Sequence, residues 1–111
     1  MITVLIVEDN TFTARVVAEF LADLGYVVRV AGTVREAQEA PTPSVAVVDN
    51  KLPDGNGADV VAIMQGRGVP CIPVTGSGEW EGGTPPMDPL VKPFSMAELA
   101  AFVAARLAEG G

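Results

Sequence analysis

The sequence predicts an α/β fold in which a parallel sheet carries helices on both faces, as one domain over residues 1–111. Short runs rich in valine and isoleucine alternate with segments whose apolar residues recur at helical spacing, and five strands can be assigned in this way. The runs are continuous rather than alternating, which is typical of strands buried on both faces. Hydrophobic residues make up 49% of the 111 residues, enough to form a core without disulfides.

Turn formers and capping residues set the predicted ends of the elements. Proline and glycine stop helices, and Asn10 or Thr11 can cap the first one. Ser95 with Glu98 three residues later forms a capping box for the last helix. In chain order we predict strand 2–7, a helix from the Asn10 or Thr11 cap to Gly25, strand 26–31, helix 33–40, strand 44–48, helix 58–65, strand 72–75, strand 90–91 and the last helix from Ser95.

Helical periodicity is clearest in the first and last helices, where it predicts faces packed on the sheet. The segment 76–88 should hold a fourth helix in such a fold, but it contains four glycines and two prolines, so that helix is predicted to be short or absent. The periodic residues are Val16, Val17, Phe20, Leu21 and Leu24 in the first helix and Leu99, Phe102, Val103 and Leu107 in the last.

Composition excludes several classes of protein. Seven basic against fourteen acidic residues give a net charge of −7, which opposes direct nucleic-acid binding. No apolar run approaches membrane-spanning length, and residues 1–7 lack a basic signal-peptide start, so we predict a cytoplasmic protein without membrane insertion. Cys71, the single cysteine, suits a reducing compartment and is predicted to be a packed small hydrophobe. Histidine is absent, which removes the usual general base and the usual zinc ligand.

Polar residues gather where the predicted strands end. In an open α/β sheet, ligands bind beyond the carboxyl ends of the strands, so these side chains should meet at one edge. Clustered carboxylates repel one another unless some are protonated or a cation is bound, and oxygen ligands favour Mg²⁺. A lysine and a threonine hydroxyl beside a metal suit a charged oxyanion, as in phosphoryl transfer. The residues are Glu8, Asp9, Asp49, Thr75 and Lys92.

Four segments resemble the signatures of response-regulator receiver domains of two-component signalling. They are "VLIVEDN", "VVDNKLPDGNG", "PVTG" and "LVKPF", and the resemblance extends from Ile2 to about Leu107. It implies a CheY-like, flavodoxin-like, doubly wound sheet of five parallel strands in the order 2-1-3-4-5. "PCIPVTGSG" is also similar to the PFxFATGY subgroup, although "IPV" departs from its aromatic consensus.

The resemblance implies a role for each residue of the cluster. Asp49 is the phosphoacceptor, Thr75 and Lys92 hold phosphoryl oxygens, and the peptide bond between Lys92 and Pro93 is cis. Lys51 and Ser77 border the path of the hydrolytic water, so Lys51→Ala should change the dephosphorylation rate. The implied Mg²⁺ ligands are Glu8 through water, the side chains of Asp9 and Asp49, and the backbone carbonyl of Lys51.

The predicted function is that of a single-domain receiver. It would take a phosphoryl group onto Asp49 from a histidine kinase or a histidine phosphotransfer protein, catalysing its own phosphorylation and dephosphorylation. Because the chain ends soon after its last helix, we expect output through a downstream protein target rather than an attached effector domain. The alternative is a pseudo-receiver, which keeps the fold as a protein-binding module that works without phosphorylation.

One departure from the family concerns how phosphorylation is reported. Most receivers carry an aromatic residue three positions before the lysine, and here that position is Pro89. A proline has no ring to rotate, so we predict that segment 76–88 is mobile and becomes ordered when Thr75 engages the phosphoryl group. Trp80, the single tryptophan, should report that change.

Overall fold

The computed structural model describes residues 1–76, 80 and 87–110. Within them lie four helices and seven strands, two of which form a small hairpin apart from the main sheet. In chain order the elements are β1 (Thr3–Val7), α1 (Thr11–Asp23), β2 (Val27–Ala31), α2 (Val34–Glu39), β3 (Val45–Asp49), β4 (Lys51–Leu52), β5 (Gly55–Asn56), α3 (Gly57–Gly66), β6 (Cys71–Thr75), β7 (Leu90–Val91) and α4 (Met96–Gly110).

The main sheet has five parallel strands in the order β2-β1-β3-β6-β7. Counted among themselves these strands have the predicted order 2-1-3-4-5, so the doubly wound, flavodoxin-like fold is confirmed. Strand β3 extends one residue beyond the predicted end, because Asp49 still pairs with Val74 of β6. The phosphoacceptor candidate is therefore fixed by the ladder itself.

Two apolar clusters cover the two faces of the sheet. One is formed with α2 and α3 and includes Leu5, Val48 and Met64, and the other is formed with α1 and α4 and includes Ile6, Leu21 and Leu99. Neighbouring residues of one strand thus point into different clusters, as the alternation of side chains along a strand requires. The continuous apolar runs are explained by this burial on both sides.

The helix ends follow the predicted chemistry. Asn10 caps α1, and its Oδ1 accepts a hydrogen bond from the amide of Thr13 at 3.0 Å. Gly25 ends the helix with φ of 100°, a left-handed conformation that favours glycine. Ser95 and Glu98 form the predicted capping box, with bonds of 3.0 and 3.1 Å between each side chain and the other residue's amide.

The apolar stripes of α1 and α4 are wider than the surfaces they cover. In α1, Val17 and Leu21 are buried, whereas Val16 and the C-cap residue Leu24 are 41% and 52% exposed. In α4, Leu99 and Val103 are buried, while Phe102 and Leu107 are only half-buried. A stripe along a helix spans more than the sheet beneath it can cover, and β7 at the sheet edge is only two residues long. The periodicity located the helices correctly but overstated the burial of these side chains.

The hairpin of β4 and β5 was not predicted, and it fastens the loop after Asp49 to a neighbouring helix. Asp54, at its turn, accepts hydrogen bonds from the amides of Val34 at 2.8 Å and Arg35 at 3.1 Å, at the start of α2. These amides, that of Val34 first, lower the pKa of Asp54. The loop is therefore held at its turn as well as at its two ends.

Most of segment 76–88 lies outside the described residues. The expectations of a short or absent fourth helix, of a mobile segment and of a role for Ser77 therefore concern residues outside the described part of the chain. Trp80 is described, and its side chain is only 6% exposed and packs in the cluster beneath α2 and α3. At this residue the structure shows a packed aromatic ring.

Two other local predictions, one on the Lys92–Pro93 peptide bond and one on Cys71, are confirmed. The peptide bond between Lys92 and Pro93 is cis. Cys71 is fully buried, and burial raises the pKa of its thiol to about 12, as expected for a packed small hydrophobe. Within the described part of the chain, the helices include none that is both long and apolar enough to cross a bilayer.

Candidate functional site

Three carboxylates meet at the carboxyl edge of the sheet. Glu8 and Asp9 follow β1, and Asp49 is the last residue of β3, the neighbouring strand. One carboxylate oxygen from each of the three lies within 4.8 Å of the others. Glu8 is buried, Asp49 is half-buried and Asp9 is exposed, so the cluster opens to solvent on the side of Asp9.

Glu8 is a carboxylate whose ionisation the structure opposes. Burial raises its pKa from 4.5 to about 7, and both a hydrogen bond and charge repulsion from Asp49 add to the shift. The amide of Asn10, which donates to Oε2 at 3.3 Å, and the charge of Lys92 act in the opposite direction. At neutral pH the Glu8 side chain is therefore still protonated in part of the molecules.

Lys92 bridges the acids from the other side of the site. Its Nζ lies 3.6 Å from Oε1 of Glu8 and 3.4 Å from Oδ1 of Asp49. The backbone fixes the residue, because its amide donates to the carbonyl of Thr75 at 2.8 Å. The lysine side chain is 39% exposed, so its ammonium stands at the mouth of the pocket.

The remaining predicted residues lie on the same edge. Thr75 ends β6 and is fully buried, and Lys51 is exposed at the start of the hairpin. A cavity of about 310 Å³ is lined by Asp49, Asn50, Lys51, Gly76 and Lys92. The structure thus brings all six predicted site residues to one edge of the sheet, with Lys51 placed so that its loop borders the cavity.

Two contributors to the site were not assigned from the sequence. The amide of Asn50 donates to Oδ1 of Asp49 at 3.0 Å, so the backbone after the acid orients the carboxylate. Gly57, at the start of α3, lies against the backbone of Asp49, and its amide donates to the carbonyl of Asn50 at 2.8 Å. Its spacing from Asp49 belongs to the family loop, but the sequence does not show what a side chain there would meet.

An apolar groove of about 460 Å³ runs beside the site. It lies between α1 and the segment that links β7 to α4, and Lys92 lines both the groove and the acidic pocket. Phe12, on its wall, is 75% exposed, which is unusual for a large aromatic side chain. Its other lining residues are Thr13, Val16, Val17, Pro93, Phe94 and Met96.

Comparison with known proteins identifies the family. A family model described as the response regulator receiver domain matches residues 4–104. The probable transcriptional regulatory protein SilR of Salmonella typhimurium is 32% identical over 96% of this chain, which spans 51% of that protein. The transcriptional regulatory protein CusR of Escherichia coli K12 is also 32% identical, and the match again covers 96% of this chain and 51% of the relative. The chain spans about half the length of these curated relatives.

Solved structures agree with this fold. A CheY-like receiver domain from Methanospirillum hungatei is 27% identical, with a TM-score of 0.86 over 99% of this chain and 96% of the other. The receiver domain of the sensor histidine kinase PA1611 from Pseudomonas aeruginosa, which has a magnesium ion coordinated in its active site cleft, is 27% identical, with a TM-score of 0.81 over 96% and 97%. The chain therefore belongs to the response regulator receiver domains of two-component signalling.

Proposed function

We propose that this receiver accepts a phosphoryl group on Asp49 from the phosphohistidine of a kinase or phosphotransfer protein, with Mg²⁺ bound, and signals through a protein partner. The observation that carries the proposal is the position of Lys92, whose ammonium lies 3.4 Å from Asp49 and 3.6 Å from Glu8. With a metal ion held by the three carboxylates, Asp49 would face both the ammonium of Lys92 and the cavity that Asp49 lines.

The donor set fits Mg²⁺. Three carboxylate oxygens within 4.8 Å of one another, with one acid exposed, suit a hard cation that keeps several waters. Asp9 and Asp49 would bind through their side chains, Glu8 through water and Lys51 through its carbonyl. The ion would supply charge neutralisation to the transferring phosphoryl group. The magnesium ion coordinated in the active site cleft of the PA1611 receiver supports this choice of metal.

The chain's own residues account for the transfer. An oxygen of Asp49 attacks the phosphorus, and the bond from phosphorus to the donor's histidine nitrogen breaks. That nitrogen keeps the electron pair of the broken bond and takes a proton from solvent. The product on Asp49 is an acyl phosphate. The ammonium of Lys92 and the hydroxyl of Thr75 would bind phosphoryl oxygens, and the amide of Asn50 holds Oδ1 so that the carboxylate keeps its orientation.

The proposal is tested with acetyl phosphate as a small donor. With Mg²⁺ present, intact mass should increase by one phosphoryl group, and EDTA should prevent the increase. A protein that folds and binds Mg²⁺ but gains no mass would instead be the pseudo-receiver, in which the fold works by protein binding alone. Because the three acids and Lys92 are all present, we expect a receiver that is phosphorylated rather than a pseudo-receiver.

The kinase, the downstream target and the cellular location remain predictions. SilR and CusR are about twice as long as this chain, so their regulatory activity does not identify a partner for it. Signalling by protein contact, without direct nucleic-acid binding, is proposed from the acidic charge of −7. The free cysteine agrees with a reducing cytoplasm.

Metal-free protein should lose stability as pH rises, and Mg²⁺ should restore it. Glu8 has a folded pKa of about 7 against 4.5 unfolded, so its stabilising contribution is complete below pH 4.5 and is lost as pH rises towards 7. The size of this pKa shift sets an upper bound of about 3 kcal/mol on the decrease in the free energy of unfolding. Mg²⁺ at ten times its Kd should return roughly 1.4 kcal/mol. Thermal unfolding across this pH range, with Mg²⁺ and with EDTA, measures both effects.

Asp9→Asn separates the two parts of this prediction. The raised pKa of Glu8 comes from burial and Asp49 and not from Asp9, so the variant should keep the pH dependence of wild type. It should lose most of the Mg²⁺ effect, because one ligand is gone. Unfolding curves that coincide with and without saturating Mg²⁺ in wild type would show that the metal site is wrong. Asp54 does not interfere, since its lowered pKa acts below pH 3.8.

The groove beside the site is proposed to receive the protein that donates the phosphoryl group. Phe12→Ala should slow phosphotransfer from a phosphorylated donor protein, because it removes exposed apolar area beside Lys92. Phosphorylation by acetyl phosphate should be unchanged, since a small donor needs no groove. Leu24→Ala is the matched control, an exposed apolar residue at the other end of α1 and outside the groove. Equal slowing by both variants, or slowing with acetyl phosphate too, would refute the assignment.

A further inference from the structure

Trp80 is buried beside the backbone that carries Asp49. Its side chain is 6% exposed and belongs to the apolar cluster that contains Leu52 and Val60, on the side of the sheet covered by α2 and α3. The ring reaches the start of α3, where a methyl group added to Gly57 would lie 2.5 Å from Cη2 of Trp80. The indole therefore lies directly against the glycine that follows the phosphoacceptor loop.

Gly57 connects the ring to the site. Its amide donates to the carbonyl of Asn50 at 2.8 Å, and its α-carbon lies so close to Asp49 that an added methyl group would overlap the backbone oxygen of that residue. The amide of Asn50 in turn donates to Oδ1 of Asp49. One continuous set of contacts thus runs from the indole through Gly57 to the carboxylate.

We propose that Trp80 is a positioning residue for the acidic pocket, acting through Gly57 to hold the backbone of Asp49 and Asn50. The proposal rests on the function proposed above. The ring acts by limiting how far the start of α3 can move away from the end of β3. A carboxylate held in place binds a cation and meets a donor more effectively than one free to shift.

The position of Trp80 in the chain gives this contact a second consequence. It lies five residues after Thr75, whose hydroxyl is proposed to bind phosphoryl oxygens. The strands that carry Asp49 and Thr75, β3 and β6, are already paired in the sheet, where Asp49 lies opposite Val74. The contact of Trp80 with Gly57 adds a link between the chain that follows β6 and the start of α3.

The test compares Mg²⁺ affinity in variants of similar expected stability loss. Trp80→Ala removes the ring, and Leu99→Ala removes a fully buried side chain from the cluster on the opposite face of the sheet. Affinities are measured by calorimetry on the full chain, at a temperature where circular dichroism shows each variant folded. Trp80→Ala should raise the Kd for Mg²⁺ about tenfold and slow labelling by acetyl phosphate, while Leu99→Ala should leave both at the wild-type value.

Trp80→Phe covers the case in which Trp80→Ala does not fold. Phenylalanine keeps an apolar ring but is shorter than the indole whose Cη2 reaches Gly57, so the Kd should rise by a smaller factor, about threefold. A Kd equal to wild type in this folded variant, or equal increases in Trp80→Ala and Leu99→Ala, overturns the proposal. Failure of the proposed function would be seen in wild type itself, as absent Mg²⁺ binding and absent labelling.

Discussion

Asp49→Asn will abolish labelling by acetyl phosphate and by any phosphorylated donor protein, while the domain remains folded. An amide is close in shape to a carboxylate but is a far poorer nucleophile and does not give the acyl phosphate. The fold should survive because Asp49 pairs in the sheet through its backbone, and because the change removes charge repulsion on Glu8. Intact mass after incubation with acetyl phosphate and Mg²⁺ measures the loss directly.

Asp54→Asn is the control for this variant. Asp54 is an acid of the same loop, five residues further on, but it lies in the hairpin and bonds the start of α2 rather than the cluster. An asparagine there still offers one acceptor oxygen, so labelling should proceed as in wild type. Labelling of Asp49→Asn at the wild-type level, mapped to another side chain, would show that Asp49 is not the phosphoacceptor.

The sequence was sufficient to predict the sheet and the acids because both depend on local patterns. Continuous apolar runs mark strands covered on two faces, and a polar residue at the end of such a run has to lie at the carboxyl edge. Strand order then brings Glu8, Asp9 and Asp49 together, since β1 and β3 are neighbours. The resemblance added the cis peptide bond after Lys92, which the structure has.

What the sequence did not predict depends on contacts between distant residues. The exposure of Val16 and Leu24 follows from how much of α1 the sheet can cover, which helical spacing does not encode. The position of Trp80 against Gly57 joins residues more than twenty positions apart, in a segment whose glycines and prolines predicted only a loop. To predict the raised pKa of Glu8, one likewise has to know that burial and Asp49 act on it together.

Gly57→Ala should destabilise the domain more than any other single methyl group added at its described glycines. The new carbon would overlap the backbone oxygen of Asp49 and lie 2.5 Å from Cη2 of Trp80, so either α3 or the end of β3 has to move. Such overpacking costs about 3 kcal/mol, at the upper end of the usual range, because one of the obstructing atoms is backbone in a central strand. Denaturant unfolding measures the change.

Gly66→Ala is the matched control, since it adds the same methyl group to the last residue of the same helix. Nothing lies within 4 Å of the added carbon there, and alanine is the better helix former, so this variant should gain about 0.5 kcal/mol or more. A loss at Gly57 no larger than a few tenths of a kcal/mol would mean that α3 moves away from β3 easily, and the close approach would then not constrain the site.

The double variant Gly57→Ala with Trp80→Phe identifies which contact causes the loss. Shortening the aromatic side chain relieves only the clash with Cη2 and leaves the overlap with the backbone oxygen of Asp49, which belongs to the sheet. The double variant should therefore stay destabilised, and its affinity for Mg²⁺ should remain below that of Trp80→Phe alone. Full recovery of stability would show that the clash with the ring of Trp80 causes the whole loss. The backbone of Asp49 would then tolerate a side chain at position 57.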